Sequence, residues 1–323
     1  MARIDLDSYR VDILKHLVGT FPKTVSQRTS LQWTKLCFDG RTAMDHFATY
    51  PLLNGLTIPR VGFGTSQIPD GEPTAEPVCA AVAAGYRLID TAARYDNETG
   101  VGMGVRRCGV DRSELFVTSK VWGTERGYDK TMASFEASMD RLGLDYLDLF
   151  LIHWPACESK YSDWMEQNLG SWKALKELYD AGRIKAVGVA NFMPKYLQPL
   201  MDTGLVPMVN QIEFHPGYMQ KECVDFCQAN GIVVEAWSPL GRRRVLDHPL
   251  LNALADKYNK SVAQVCLRWC LQHNVLAIPK TVNPERLAQN LDLFGFELSA
   301  DDMAQIDAMP EYGYSGIDPE VFC

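Results

Sequence analysis

Four polar residues stand where apolar, strand-like runs of the sequence end or turn. Asp90 ends the run RLID and Tyr95 follows in a polar turn, while Lys120 ends LFVTSK and His153 ends LFLIH. A carboxylate at the end of an apolar strand must be paired, exposed or functional, because an unpaired buried carboxylate is costly. A carboxylate, a phenol, an ammonium group and an imidazole are residue types that can carry acid–base chemistry. Taken singly, a strand-end Lys or His is more often a structural or surface residue.

The elements that would hold these residues are predicted by an alternation of short β-rich runs with amphipathic segments. This pattern is typical of βα units and a parallel sheet. There are eight such runs: Arg60–Thr65, Arg87–Thr91, Leu115–Lys120, Leu147–Trp154, Ile184–Asn191, Met208–Phe214, Ile232–Trp237 and Val275–Lys280. We therefore predict an α/β protein, a (β/α)8 TIM barrel, in which the carboxyl ends of the strands meet at one mouth.

Helices are predicted between the runs. Met132, Phe135, Met139 and Leu142 recur at helical spacing before Gly143. Two further helices, residues 250–258 and 261–273, fit between the last two strands. Residues 51–323 are predicted to form a single barrel domain, and residues 1–50, which lack the βα rhythm, an N-terminal extension of unknown structure.

Composition narrows the function classes. The chain has 323 residues, 46% of them hydrophobic, and a formal net charge of −8, so no large positive field is available to bind nucleic acid. No apolar run approaches the roughly 20 residues of a membrane span. Cys223, Cys227, Cys266 and Cys270 fall at helical spacing with apolar residues, as packing thiols do, and no metal-ligand spacing is present. We predict a cytoplasmic protein with no nucleic-acid or membrane partner, and a monomer, with a dimer as the alternative.

The sequence resembles the aldo-keto reductase family from about residue 52 to residue 307. The blocks that carry the resemblance, in order, are GYRLIDTAARYDNETGVG, VTSKVW, DYLDLFLIHWP, GRIKAVGVANF, VNQIEFHP, EAWSPLG and IPKTVNPERLAQNL. Within the family the chain is most similar to prokaryotic members of the 2,5-diketogluconate reductase type. The resemblance implies an NADP-dependent oxidoreductase that reduces aldehydes and ketones to alcohols by hydride transfer.

The resemblance also implies roles for the four strand-end residues. Tyr95 would be the general acid, Lys120 and Asp90 an ion pair beside it, and His153 would border the substrate carbonyl. We expect Lys120 to lower the pKa of Tyr95 toward the working range.

The cofactor site implied by the resemblance does not use the glycine-rich stretch GVGMG at residues 100–104. That stretch lacks the GxGxxG spacing and does not follow a strand directly, so we reject it as a dinucleotide fingerprint. Asn191 and Gln211 would instead bind the carboxamide, and Trp237 would stack on the nicotinamide. Asn283 as N-cap and Pro284 as the first helical residue predict a helix start that favours an anion, with Lys280 and Arg286 beside it for the 2′-phosphate of NADPH. The predicted cofactor-binding residues are Asn191, Gln211, Trp237, Ser238, Leu240, Gly241, Lys280, Thr281, Val282, Asn283, Arg286, Gln289 and Asn290.

Departures from the family pattern bear on the cofactor and the substrate. Ala190 replaces the usual Ser before Asn191, and the loop after SPLG is short and carries three arginines, residues 242–244. Ser66 stands at a position that usually holds an aromatic residue, so we expect an open, polar pocket wall there, with Trp122 and Trp154 as aromatic walls. Small polar carbonyls, dicarbonyls or keto-sugars are the predicted substrates. The alternative is a barrel of the same kind that binds the nucleotide as a sensor or structural subunit.

Overall fold

A computed structural model describes residues 48–322 of the chain. It begins with an antiparallel hairpin of β1 (Thr49–Pro51) and β2 (Thr57–Pro59). This hairpin was not predicted. Most of the predicted N-terminal extension, residues 1–47, lies outside the described residues, and β1 starts two residues before the predicted start of the barrel domain.

Eight parallel strands follow, and each pairs with the next along the chain. They are β3 (Gly62–Gly64), β4 (Leu88–Asp90), β5 (Phe116–Val121), β6 (Leu149–Ile152), β7 (Val187–Ala190), β8 (Val209–Glu213), β9 (Val233–Trp237) and β10 (Val275–Ala277). A parallel bridge between Val61 and Ala277 joins the first of these strands to the last. All eight predicted strands are confirmed, as is the (β/α)8 fold class, and only β5 extends past its predicted end, by Val121.

Helices on the outside of the sheet connect the strands, and the last two helices follow β10. They are α1 (Glu72–Ala84), α2 (Glu98–Arg107), α3 (Tyr128–Leu142), α4 (Trp164–Asp180), α5 (Pro194–Met201), α6 (Lys221–Ala229), α7 (Pro249–Tyr258), α8 (Val262–Gln272), α9 (Pro284–Leu291) and α10 (Ala300–Asp307). The predicted end of α3 is confirmed, because Gly143 takes a left-handed conformation with φ 59° at its C-cap. Helix α8 begins at a capping box of Ser261 and Gln264.

The glycines of GVGMG lie inside α2, where they allow close packing of helices. A Cβ on Gly102 would lie 1.8 Å from the carbonyl oxygen of Leu142 at the end of α3, and one on Gly104 would lie 2.6 Å from the Val78 side chain of α1. These glycines therefore allow the helices to pack closely, which agrees with the rejection of GVGMG as a dinucleotide fingerprint.

The cysteines predicted to be packing thiols lie in the core. Cys223, Cys227, Cys266 and Cys270 are fully buried and free. None of the helices among residues 48–322 combines the length and the apolar character that a membrane span needs.

Candidate active site

A buried ion pair lies at the centre of the barrel mouth. Lys120, from β5, donates to the two carboxylate oxygens of Asp90, from β4, at 2.8 and 2.6 Å, and to the carbonyl oxygen of Thr91 at 2.8 Å. Lys120 is fully buried and Asp90 nearly so. The three acceptors satisfy all three protons of the ammonium group. The carboxylate at the end of β4 is therefore the partner of a buried cation on the next strand.

Tyr95 lies next to this pair in a 3-10 turn, Ala93–Tyr95, that follows β4. Its hydroxyl is 3.5 Å from the Lys120 Nζ atom. Lys120 lowers the pKa of Tyr95, as expected, but it does not bring that pKa toward the working range. Burial raises the pKa of Tyr95, and the Lys120 ammonium offsets only part of that rise. The phenol thus keeps its proton at neutral pH.

His153 faces Tyr95 from the end of β6. The two rings meet edge to face with centroids 5.7 Å apart, and Trp122 also meets the imidazole edge to face, at 5.2 Å. Burial, together with the positive charges of Lys120 and Arg94, holds the pKa of His153 well below its usual value. The imidazole is therefore neutral at neutral pH.

Asn191, Gln211 and Trp237 connect to these groups by hydrogen bonds. Asn191 donates to the carbonyl oxygen of His153 at 3.0 Å and accepts from Trp237 Nε1 at 2.7 Å. Gln211 Nε2 donates to Asp90 at 2.9 Å. Asn191 has a left-handed backbone, φ 63°, which Asn tolerates better than most residues. The structure thus brings these three predicted cofactor residues together with the catalytic candidates.

The predicted phosphate segment follows β10. Asn283 caps α9 by accepting from the Arg286 backbone N–H at 3.1 Å, and Pro284 is the first helical residue, as the sequence predicted. Of the residues predicted to contact the cofactor here, Lys280, Val282, Asn283, Arg286 and Gln289 are exposed, Thr281 is partly exposed and Asn290 is buried. The Val282 side chain is 56% exposed, so its apolar surface is available to a ligand.

The short loop after β9 contains Ser238, Leu240 and Gly241, followed by the three arginines. Arg244 donates to the carbonyl oxygen of Tyr314 in the C-terminal segment. The guanidinium group of Arg242 lies 5.7 Å from the centroid of the Trp237 ring. A hydrogen bond therefore joins the loop to the C-terminal segment, residues 308–322. Arg242 lies beside the Trp237 ring, which is predicted to stack on the cofactor.

The pocket wall contains an aromatic residue that the sequence did not reveal. Phe322 packs edge to face on Trp154 at 4.8 Å and on Trp122 at 6.2 Å, and it remains 42% exposed. Ser66 is partly exposed, as expected. Phe322 therefore adds a third aromatic ring to the two, Trp122 and Trp154, that were predicted to line the substrate pocket.

Comparisons with known proteins agree with this geometry. Residues 60–311 match the aldo/keto reductase family profile. The chain is 50% identical to a glyoxal reductase of Bacillus subtilis over 273 residues, which is 84% of this chain and 96% of the relative. It is 43% identical to a morphine 6-dehydrogenase of Pseudomonas putida over 282 residues, 83% and 93% of the two chains.

A solved structure is also similar to this chain in sequence and fold. A point mutant of Gox0644 in complex with NADPH has a TM-score of 0.78 and 43% identity, covering 85% of this chain and 98% of that one. These matches confirm the predicted oxidoreductase class. The chain belongs to the aldo/keto reductase family.

Proposed function

We propose that the chain reduces small aldehydes, ketones or dicarbonyls to alcohols, with Tyr95 as the proton donor. The observation that carries the proposal is the buried arrangement of Asp90 and Lys120 beside the Tyr95 hydroxyl, with His153 facing it. These residues occupy the carboxyl ends of neighbouring barrel strands, where the active sites of this fold lie.

The predicted cofactor, NADPH, is confirmed by the family and by the NADPH-bound neighbour. When bound, NADPH supplies the hydride that reduces the carbonyl carbon. The residues present fit this cofactor, because Lys280 and Arg286 are exposed beside the capped start of α9 and the Trp237 ring is partly open. Asn191 and Gln211 would hold the carboxamide, and the positive charges would hold the 2′-phosphate.

Tyr95 is suited to give a proton and His153 to orient the carbonyl. Because burial raises its pKa, Tyr95 is protonated at neutral pH, and a proton donor needs that form. His153 Nδ1 is buried without a hydrogen-bond partner among the described residues. The tautomer with its proton on Nε2 avoids an unpaired buried N–H and makes Nε2 a donor to the carbonyl oxygen.

The substrate class follows from the pocket walls. Trp122, Trp154 and Phe322 form an aromatic side, and Ser66, which is partly exposed, is small and polar where the family pattern has an aromatic residue. Short carbonyl compounds with a second polar group suit such a pocket. The similarity to a glyoxal reductase supports a dicarbonyl.

The test is NADPH oxidation by the purified protein with methylglyoxal, a keto-sugar and a nitrobenzaldehyde. Tyr95→Phe should lower turnover by roughly 10²–10⁴-fold, as loss of a general acid does, while quenching of tryptophan fluorescence still reports NADPH binding. Tyr128→Phe is the matched control, because its hydroxyl contacts Glu177 at the surface. Turnover that survives in Tyr95→Phe would refute the proton-donor role. Tight NADPH binding without turnover of any carbonyl by the wild type would favour a nucleotide sensor.

A cytoplasmic, monomeric protein remains part of the proposal. Six of the described cysteines are free, as in a reducing compartment. Thiol labelling in fresh lysate tests the compartment, since the cysteines of a cytoplasmic protein should be reduced. Light scattering after size exclusion tests the oligomeric state.

A further inference from the structure

Glu235 is a buried acid to which the proposed reaction assigns no role. It lies in β9, two residues before Trp237, and it is fully buried. Its register partners are Gln211 on β8 and Leu276 on β10. Paired residues of neighbouring strands project to the same face of a sheet, and Gln211 reaches Asp90 on that face. Glu235 therefore points into the barrel interior, toward the ion pair.

The groups around Glu235 leave its charge unbalanced. The ionisable groups that face it are Asp90 and Lys120, with Tyr95 beyond them, while Gln211 and Leu276 are uncharged. Lys120 donates two hydrogen bonds to the Asp90 carboxylate, and Gln211 donates one more to it. Neither carboxyl oxygen of Glu235 has a hydrogen-bond partner of ordinary geometry among the described residues, and the Gln211 amide is the neighbouring uncharged polar group that acts on it.

Two carboxyl groups thus share one buried ammonium group. The ammonium balances one negative charge, so a second carboxylate would be buried without compensation. Burial and the Asp90 charge raise the pKa of Glu235 to about 8, with Lys120 and Gln211 opposing them. Glu235 is therefore the acid that holds a proton at neutral pH, and it ionises at alkaline pH.

We propose that Glu235 is a positioning residue that controls how firmly Tyr95 holds its proton. As a neutral acid, Glu235 leaves the Asp90–Lys120 pair electrically balanced. Once ionised, it adds a negative charge that disfavours the tyrosinate. This inference rests on the proposed role of Tyr95 as proton donor.

The sign of the effect differs between the two directions of the reaction. The charge of ionised Glu235 raises the pKa of Tyr95. Carbonyl reduction needs protonated Tyr95 and declines as pH rises through that pKa, whereas alcohol oxidation needs the tyrosinate and increases. Glu235 therefore extends the reductase activity toward alkaline pH and delays the reverse reaction.

Glu235→Gln tests this by comparing pH–rate profiles of the two directions, from neutral to alkaline pH, at saturating cofactor. The variant keeps the shape of the side chain but cannot ionise. Both the decline of reduction and the increase of oxidation should move to lower pH, by a shift of less than about one pH unit, because Glu235 contributes less to the pKa of Tyr95 than burial, Lys120 and Asp90 do. Profiles that are lowered equally at every pH, without a shift, would show a structural role only and overturn the proposal.

Thr118→Val is the matched control. Thr118 is buried on β5 in register with Asp90, and its hydroxyl has no hydrogen-bond partner among residues 48–322. The variant changes the polarity of the interior without removing an ionisable group, so its profiles should coincide with those of the wild type. A shift equal to that of Glu235→Gln would contradict an effect of charge.

A second measurement needs no catalysis. The infrared difference spectrum between neutral and alkaline pH should show the wild type losing a carbonyl stretch of a protonated carboxyl group, and Glu235→Gln should lack that loss. A wild type without this band would overturn the proposal. The proposed function fails separately, if Tyr95→Phe stays active. If Tyr95→Phe is inactive but the pH–rate profiles of the wild type and Glu235→Gln coincide, only the inference about Glu235 is refuted.

Discussion

Asp90→Asn should destabilise the barrel strongly, because both oxygens of the Asp90 carboxylate accept hydrogen bonds. Its oxygens accept from Lys120 at 2.8 and 2.6 Å and from Gln211 at 2.9 Å. An amide nitrogen in either position would meet another donor. Lys120 would also lose the only carboxylate to which it is hydrogen-bonded among the described residues, since Glu235 faces it but accepts no hydrogen bond from it. Breaking a buried pair by removing one partner costs about 3–5 kcal/mol.

That loss converts into a measurable change of melting temperature. At about 2 °C per kcal/mol for a domain of this size, the melting temperature should fall by roughly 6–10 °C at neutral pH, as followed by circular dichroism. Glu136→Gln is the control, because the Glu136–Arg183 pair at 2.9 Å is half-exposed and should be worth about 1 kcal/mol or less. If Asp90→Asn has the same melting temperature as the wild type, the view that this carboxylate stabilises the buried Lys120 ammonium is refuted.

Three further predictions concern the site and its supports. His153 should stay neutral to well below its ordinary pKa, so its imidazole resonances should not move between neutral and mildly acidic pH; a normal titration would contradict the effect of burial and nearby cations. Gly102→Ala should lower the free energy of unfolding by several kcal/mol, on the order of an overpacked core, because the new Cβ meets the Leu142 carbonyl; a denaturant midpoint like that of the wild type would refute this. Ser261→Ala should cost about 1 kcal/mol by removing the cap of α8, where its hydroxyl accepts from Gln264, and an unchanged midpoint would show that the cap is dispensable.

The sequence predicted the barrel and the convergence of its strand-end residues because both follow from local patterns. Alternating β-rich and helical runs specify the order of elements, and parallel strands bring Asp90, Lys120 and His153 to one end. The hairpin β1–β2 was not predicted, since its strands are only three residues long and lie outside the βα alternation.

Phe322 and Glu235 were missed for different reasons. Phe322 reaches the pocket through the path of the C-terminal segment, and no local pattern specifies where such a segment returns. Glu235 did leave a signal, because VVEAW places an acid within an apolar strand. The rule that made Asp90 a candidate applies to Glu235 too. The net rise in the pKa of Tyr95 depends on the depth of burial, which residue types alone do not give.

Asn191 carries two requirements that few amino acids meet together. Its left-handed backbone favours Gly, Asn or Asp, while its side chain must both donate to the His153 carbonyl and accept from Trp237. Gly has no side chain to do either, and an ionised Asp cannot donate. Mutational tolerance at this position should therefore be close to nil, and a library built to change cofactor or substrate preference gains more from positions that carry a single requirement, such as Ser66.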